Sequence, residues 1–203
     1  MRESAPSGEL LIALPTPCEP VKAVRSTLIL SSYTSLVAEG HVERYFTALA
    51  AEHHAAVKNA VAGAWLPADV ANAHYAACSS LGLSHDAVVR LGRAVGQKVN
   101  GTLLGTAVRM AKEMGVSPLT VVPQFPRFWG RAFQGGGICA FKTGPKEVRF
   151  EMHNAAVIDY PYFRSAICGL LMGMLEPVCQ RVYMIERPGP RAPGMGIFRL
   201  QWV

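Results

Sequence analysis

Polar residues recur at every second position of the segment VRFEMH, where Arg149, Glu151 and His153 alternate with apolar residues. Side chains on a β-strand point to alternate faces, so this spacing predicts that the three residues share one face of a strand. A guanidinium, a carboxylate and an imidazole at this spacing could contact a polar ligand. The alternative is the solvated face of an antiparallel sheet. Arg199 and Gln201 continue the same alternation near the C-terminus, which favours the solvated face.

A second group of candidate site residues is apolar. Four aromatic residues recur at helical spacing beside the predicted sheet: Phe125, Phe128, Trp129 and Phe133. Two methionines, Met172 and Met174, lie on the predicted helix within the sheet part. A cleft between such a helical layer and a sheet could hold a small hydrophobic ligand. Ordinary core packing is the alternative, because an aromatic stripe of this kind usually packs against its neighbours. The ligand-binding interpretation requires a cleft that side chains leave open.

The cysteines form neither a metal-binding nor a redox pattern. The five cysteines are Cys18, Cys78, Cys139, Cys168 and Cys179. Their number is odd, and their spacings match neither a zinc ribbon nor a redox pair. We interpret them as reduced thiols, several of them in apolar surroundings, where cysteine behaves as a small hydrophobe. Cys168 and Cys179 have no close cysteine or histidine partner in the sequence, and a structural zinc site needs four ligands. We therefore predict no zinc and no other metal.

The histidines and short motifs provide no catalytic constellation. His53 and His54 are adjacent, so on a helix they point about 100° apart and cannot form a facing ligand pair. His41, His74 and His85 are isolated, and a lone helical histidine is more often a surface or capping residue than a base. No nucleophile motif, phosphate loop or HExxH sequence occurs. We therefore predict that the protein is not an enzyme.

Charge and hydropathy argue against two further classes of protein. The formal net charge is +6 and the 20 Lys and Arg are scattered, so no nucleic-acid partner is expected. The longest apolar helix candidate, Phe163 to Leu175, is shorter than the roughly 20 residues that a bilayer requires. The N-terminus makes a poor signal peptide, because acidic residues and a proline precede its apolar run. With the reduced cysteines, these features predict a cytoplasmic protein with no membrane partner.

The order of helical and strand patterns predicts one α+β domain. Residues 1–20 contain four prolines and predict a mobile N-terminal segment that docks locally through Leu10 to Leu14. Residues 21–134 show helical periodicity, and residues 135–203 follow the order strand, strand, helix, strand, strand (ββαββ). The single domain over 21–203 is therefore expected to pack a helical N-terminal part on a four-stranded antiparallel sheet.

Two local patterns within this domain bear on its packing. The segment VRSTLILSSYTSLVAEG is compatible with a short strand or with an amphipathic helix, and either would stop at Gly40. Gly169 and Gly173 lie four residues apart on one face of the second helical pattern, so we expect that helix to approach the sheet closely.

Five segments carry a resemblance to a known family: VRSTLILSSYTSLVAEG, AWLPADV, VVRLGRAVG, FPRFWGRAF and FRLQWV. With them, nearly everything after Val21 resembles an uncharacterised bacterial family, best known from myxobacteria, that is placed near the haem nitric-oxide-binding and 4-vinyl-reductase domains. The resemblance implies a helical N-terminal part over a four-stranded antiparallel sheet crossed by one helix. The matching residues are packing and turn residues, so they say little about chemistry.

The resemblance also raises the question of haem. The nitric-oxide-binding relatives hold iron through a histidine on the helix before the sheet, and a Tyr-x-Ser-x-Arg strand holds the propionates. In this chain, residues 117–134 contain no histidine, and the strand VRFEMH lacks the Tyr-x-Ser-x-Arg pattern. We therefore expect neither haem nor another cofactor.

The sequence is compatible with two functions. The first is a regulatory or sensory signalling module, not an enzyme, that binds a small apolar ligand without haem. The second is a protein-interaction or assembly module that forms a homodimer or binds a protein partner, as the related fold does in vesicle-tethering complexes. In the second case the closing FRLQWV would offer a sheet edge for strand addition.

Overall fold

The computed structural model describes residues 9–13, 19–99, 117–187, 189 and 192–203, and these residues form the mixed α+β fold that the sequence predicts. The strands are β1 (Leu10–Ala13), β2 (Ala23–Arg25), β3 (Trp65–Pro67), β4 (Phe133–Gln134), β5 (Gly137–Gly144), β6 (Glu147–His153), β7 (Val182–Glu186) and β8 (Gly196–Trp202). The helices are α1 (Ser26–Ala38), α2 (Val42–Ala48), α3 (His54–Lys58), α4 (Ala68–Ser80), α5 (His85–Val99), α6 (Pro118–Val121), α7 (Phe125–Ala132) and α8 (Pro161–Leu175).

The larger sheet of the described residues is antiparallel and has five strands, in the order β1-β5-β6-β8-β7. The hairpin β5–β6, the helix α8 and the hairpin β7–β8 appear in the predicted order along the chain. The additional strand is β1, in which Leu10 pairs with Lys142 and Leu11 pairs with Phe141. Part of the N-terminal segment that was predicted to be mobile therefore belongs to the sheet, while residues 1–8 and 14–18 lie outside the described residues.

The C-terminal strand β8 is an inner strand of this sheet. Its residue Leu200 pairs with Val148 on one side and with Met184 on the other. The prediction that FRLQWV offers a free edge is therefore wrong, because the sequence order of the strands differs from their spatial order. The outer strands are β1 and β7.

A second, smaller sheet was not predicted. It has the order β3-β2-β4, and Val24 at its centre pairs with Leu66 and with Phe133. Strands of two or three residues are too short for an alternating pattern to appear in the sequence. The segment that was compatible with a strand or a helix contains both, since β2 leads directly into α1, and the chain turns at Gly40 with a φ of 76°.

The buried face of the larger sheet follows the alternation of the sequence. Val148, Phe150 and Met152 are fully buried on β6, and Phe198 and Leu200 are fully buried on β8. The helix α8 is packed against β7 and against α5, so it lies between the sheet and the helical part. None of the helices in the described part of the chain is long and apolar enough to cross a membrane.

The helices α5 and α8 make a backbone-to-backbone contact. A Cβ atom added at Gly169 would lie 2.0 Å from the carbonyl oxygen of Val89, and one added at Gly92 would lie 2.0 Å from that of Ala166. Gly173 faces the backbone of Arg93 in the same way. The glycine face of α8 therefore packs on α5 and not on the sheet, which corrects our expectation. The sequence shows that a helix has a face of small residues, but not which element covers it.

Candidate functional site

The polar face of β6 is largely covered. The side chains of Arg149, Glu151 and His153 are 13%, 15% and 29% exposed. Arg149 forms ion pairs with Glu9 and Glu151, and its guanidinium lies 4.4 Å from the centre of the Phe141 ring. The interpretation of this face as fully solvated therefore does not hold for Arg149 and Glu151, because the N-terminal segment and the neighbouring strand cover them.

The predicted apolar ligand-binding residues form part of the core. Phe125, Trp129, Phe133, Met172 and Met174 are buried. Phe128 is partly buried and packs against the same core. Phe125 stacks on Phe150 of the sheet with ring centres 5.1 Å apart, and Trp129 stacks on Phe133 at 4.1 Å. Other residues line the cavities described below. A ligand role for these six side chains stays a prediction.

A different apolar cavity lies among the helices α1, α4, α5 and α8. Its volume is about 40 Å³, and its lining includes Leu28 and Ser32 of α1, Leu91 and Val95 of α5, and Ile167 of α8. At about 10–15 Å³ for each water, this space would admit roughly three water molecules. The lining is mostly apolar and includes the hydroxyl-bearing residues Ser32, Ser35, Tyr75 and Tyr162. Mostly apolar walls with a few polar groups are common in small-molecule sites.

Two residues of the cavity lining belong to a chain of hydrogen bonds that continues into the helical part. The hydroxyl groups of Tyr162 and Ser32, which both line the cavity, are 2.9 Å apart. Ser32 Oγ is 3.9 Å from Cys78 Sγ, which is 3.6 Å from Nε2 of His74. The other ring nitrogen of His74, Nδ1, is 2.7 Å from the hydroxyl of Tyr45. Five side chains from four helices therefore form one continuous network.

The direction of the first two hydrogen bonds of this network can be assigned from its buried end. Tyr45 is fully buried, and among the described residues its hydroxyl has His74 as its hydrogen-bond partner. Because a buried hydroxyl that donates to nothing is costly, Tyr45 should donate to Nδ1 of His74. Nε2–H then donates to the Cys78 sulfur. In the Cys78–Ser32 and Ser32–Tyr162 contacts either atom can donate, so the Ser32 and Tyr162 hydroxyls can each donate or accept.

Burial keeps this network uncharged. It lowers the pKa of His74 from 6.5 to about 3 and raises the pKa of the Cys78 thiol to about 12. It also raises the pKa values of Tyr45 and Tyr162. At neutral pH the imidazole is neutral and the thiol is protonated, and a protonated buried thiol is a poor nucleophile. The network is therefore suited to hydrogen bonding of a neutral group.

The sequence interpretation missed this network because it treated His74 as an isolated surface or capping residue. That prediction is wrong, since His74 is fully buried. A usable signal was present: His74 and Cys78 are four residues apart and share one face of α4. Their partners come from distant parts of the chain, 29 residues away for Tyr45 and 46 residues away for Ser32.

Comparison with known proteins relates the chain by fold alone. No protein-family model matches it, and no curated protein matches it in sequence. A solved structure from a study of haem distortion in the H-NOX family is 11% identical, covers 87% of this chain and 94% of its own, and has a TM-score of 0.57. A trafficking protein particle complex subunit 3 from Naegleria fowleri, covalently bound to palmitic acid, is 14% identical, with coverages of 88% and 95% and a TM-score of 0.48. The first likeness confirms the predicted relation to the H-NOX fold.

The H-NOX fold raises the question of haem, and the described residues between the helices and the sheet do not fit it. Phe125 and Phe150 stack directly where α7 meets the sheet, so no slot for a flat macrocycle is open there. The buried imidazole of His74 has both ring nitrogens engaged in hydrogen bonds. It is therefore not available as an axial ligand.

Proposed function

We propose that the protein is a regulatory or sensory module, not an enzyme, that binds a small apolar ligand without haem in the cavity among α1, α4, α5 and α8. The observation that carries this proposal is an apolar cavity whose lining includes the hydrogen-bonded hydroxyl groups of Ser32 and Tyr162. The matching ligand has an apolar body and a neutral hydrogen-bonding group, such as a carbonyl or ether oxygen. A charged group would be unfavourable there, because the network offers no counter-charge.

The ligand needs more room than the cavity now offers, and the adjoining groove can supply it. A groove of about 350 Å³ runs between α1 and α5, and its lining shares Ser35 and Val95 with the cavity. Displacing these two side chains would join the two spaces into a volume within the range of about 300–1,000 Å³ that is usual for ligand sites. Because the glycine contact holds α5 on α8, we propose that α1 moves to admit the ligand.

Filling the cavity should weaken ligand binding. We expect Leu28→Trp, which adds an indole to the lining, to lower the affinity for the neutral carbonyl-containing dye Nile red by about tenfold or more, equivalent to about 1.4 kcal/mol. Val37→Trp is the matched control, since Val37 lies on the same helix and is 47% exposed. Fluorescence titration measures both, and native mass spectrometry of the protein from its source organism identifies a retained ligand. Equal binding by both variants would contradict the proposal.

A second candidate is favoured by the outer strand β7. Its residues Tyr183 and Ile185 are 50% and 54% exposed, and Val203 beside this edge is 55% exposed. An outer strand that carries large apolar residues is suited to strand addition. This observation supports an interaction module that forms a homodimer through β7.

Charging this edge tests the second candidate. If β7 forms a dimer, sedimentation velocity should detect a dimer for the unaltered chain and a monomer for Ile185→Lys. Val61→Lys, at a site that is 72% exposed in the loop between α3 and β3, should leave the dimer intact. A monomer at every concentration, or a dimer that survives Ile185→Lys, would contradict assembly through β7.

A further inference from the structure

Three metal-ligating side chains converge on the polar face of the larger sheet. Cys139 of β5 pairs directly with Glu151 of β6, and His153 follows two residues later on the same face. The Cys139 sulfur lies 3.6 Å from Nε2 of His153 and 3.9 Å from Oε2 of Glu151. The same Nε2 and Oε2 atoms are 3.4 Å apart. All three ligand atoms lie within 4.8 Å of one another.

These separations match a tetrahedral zinc site. Bond lengths of about 2.3 Å to sulfur, 2.1 Å to nitrogen and 2.0–2.2 Å to oxygen, at tetrahedral angles, place sulfur and nitrogen about 3.6 Å apart. The same geometry places nitrogen and oxygen about 3.3–3.5 Å apart and sulfur and oxygen about 3.5–3.7 Å apart. The observed 3.6 and 3.4 Å agree with these values, and the 3.9 Å requires a movement of a few tenths of an ångström.

We propose that Cys139, Glu151 and His153 bind a divalent zinc-like cation, with the fourth coordination position open to water on the side where His153 is 29% exposed. Thiolate and imidazole ligands favour Zn²⁺ over Mg²⁺ or Ca²⁺, which prefer oxygen ligands alone. A thiolate, a carboxylate and Zn²⁺ sum to zero charge, so a largely covered site can hold them together.

The surroundings orient the ligands. Arg149 forms its ion pair with Oε1 of Glu151, which leaves Oε2 directed at the site, and its remaining charge is matched by Glu9. An outer-shell partner that orients a ligating carboxylate in this way is a common feature of metal sites. After His153, the backbone is fixed, because Asn154 has a φ of 56° and its carbonyl oxygen accepts a hydrogen bond from the Val21 N–H. The ligands are therefore held on inner strands before any metal binds.

This inference departs from the sequence expectation that the protein binds no zinc. That expectation considered Cys168 and Cys179. Cys168 is buried on α8, and the Cys179 thiol donates to the carbonyl oxygen of Leu175. Cys139 is 12 residues from Glu151 and 14 residues from His153, and only strand pairing brings them together. The site lies on the sheet and does not depend on the helical cavity of the proposed function.

Cobalt binding to the full chain tests the inference. After treatment with a chelator, the protein should bind one Co²⁺ per chain with a thiolate-to-cobalt charge-transfer absorption, and Zn²⁺ should displace the cobalt. Cys139→Ser should abolish that absorption, and His153→Gln should weaken zinc binding by about tenfold or more. Cys179→Ser and His85→Gln are the controls, since they remove the same atom types outside the site and should change neither result.

Two results with cobalt would overturn the metal site. One is the absence of a charge-transfer band when Co²⁺ is in excess. The other is a band of unchanged intensity in Cys139→Ser, which would place the metal on another cysteine. If Cys139→Ser loses its circular dichroism, the partly exposed His153→Gln decides, because unchanged zinc affinity in that folded variant also contradicts the proposal. Nile red binding by the same samples separates this outcome from a failure of the proposed function.

Discussion

Replacing Gly169 with alanine should lower the free energy of unfolding by about 3 kcal/mol, at the upper end of the range for overpacked cores. The added Cβ would lie 2.0 Å from the Val89 carbonyl oxygen and 2.7 Å from the Arg93 amide nitrogen. Both are backbone atoms, so relief requires α5 and α8 to separate along their contact. Urea unfolding at neutral pH, followed by circular dichroism, measures the change.

Gly130→Ala provides the matched control for this substitution. Gly130 also lies within a helix, α7, but a Cβ atom there would have no neighbour within 4 Å. Because glycine is a poorer helix former than alanine, this change should stabilise the protein by up to about 1 kcal/mol. If Gly169→Ala were as well tolerated as Gly130→Ala, the direct backbone contact between α5 and α8 would be wrong.

The second large effect is a loss of stability in mild acid. Burial lowers the pKa of His74 to about 3, whereas the same residue in the unfolded chain titrates near its ordinary value of 6.5. Between these two values the unfolded chain binds more protons than the folded one, so stability falls as the pH falls through this window. At about 1.36 kcal/mol per pKa unit, the contribution of His74 to this loss should be about 2 kcal/mol at pH 5.

Comparing histidine variants isolates this contribution. His74→Gln removes the titrating group. The loss in its free energy of unfolding from pH 7.5 to pH 5 should therefore be about 2 kcal/mol smaller than the loss in the unaltered protein. His85→Gln removes an exposed histidine and should keep the full pH dependence. Urea unfolding at the two pH values measures both. An unchanged pH dependence in His74→Gln would show that His74 is not the buried neutral group described here.

The order of the elements follows from local patterns in the sequence. The alternation in VRFEMH is confirmed as a strand with one fully buried face, because the period of two is a property of the strand itself. The hairpin β5–β6 turns near Gly144 and Pro145, and glycine and proline are residues that favour turns. Ser117 caps α6 by accepting a hydrogen bond from the Leu119 N–H. Each of these features depends on residues that are close together in the chain.

The sequence by itself thus determined the α+β class and the succession of helices and strands, because side-chain periodicity, caps and turns act over a few residues. Tertiary structure decided which elements meet: FRLQWV became an inner strand, the glycines of α8 met α5, and His74 was buried beside Cys78. It also brought Cys139 to Glu151 and His153. The physical reason is that strand register and helix contacts are chosen by the burial of the whole apolar surface, which no short segment encodes.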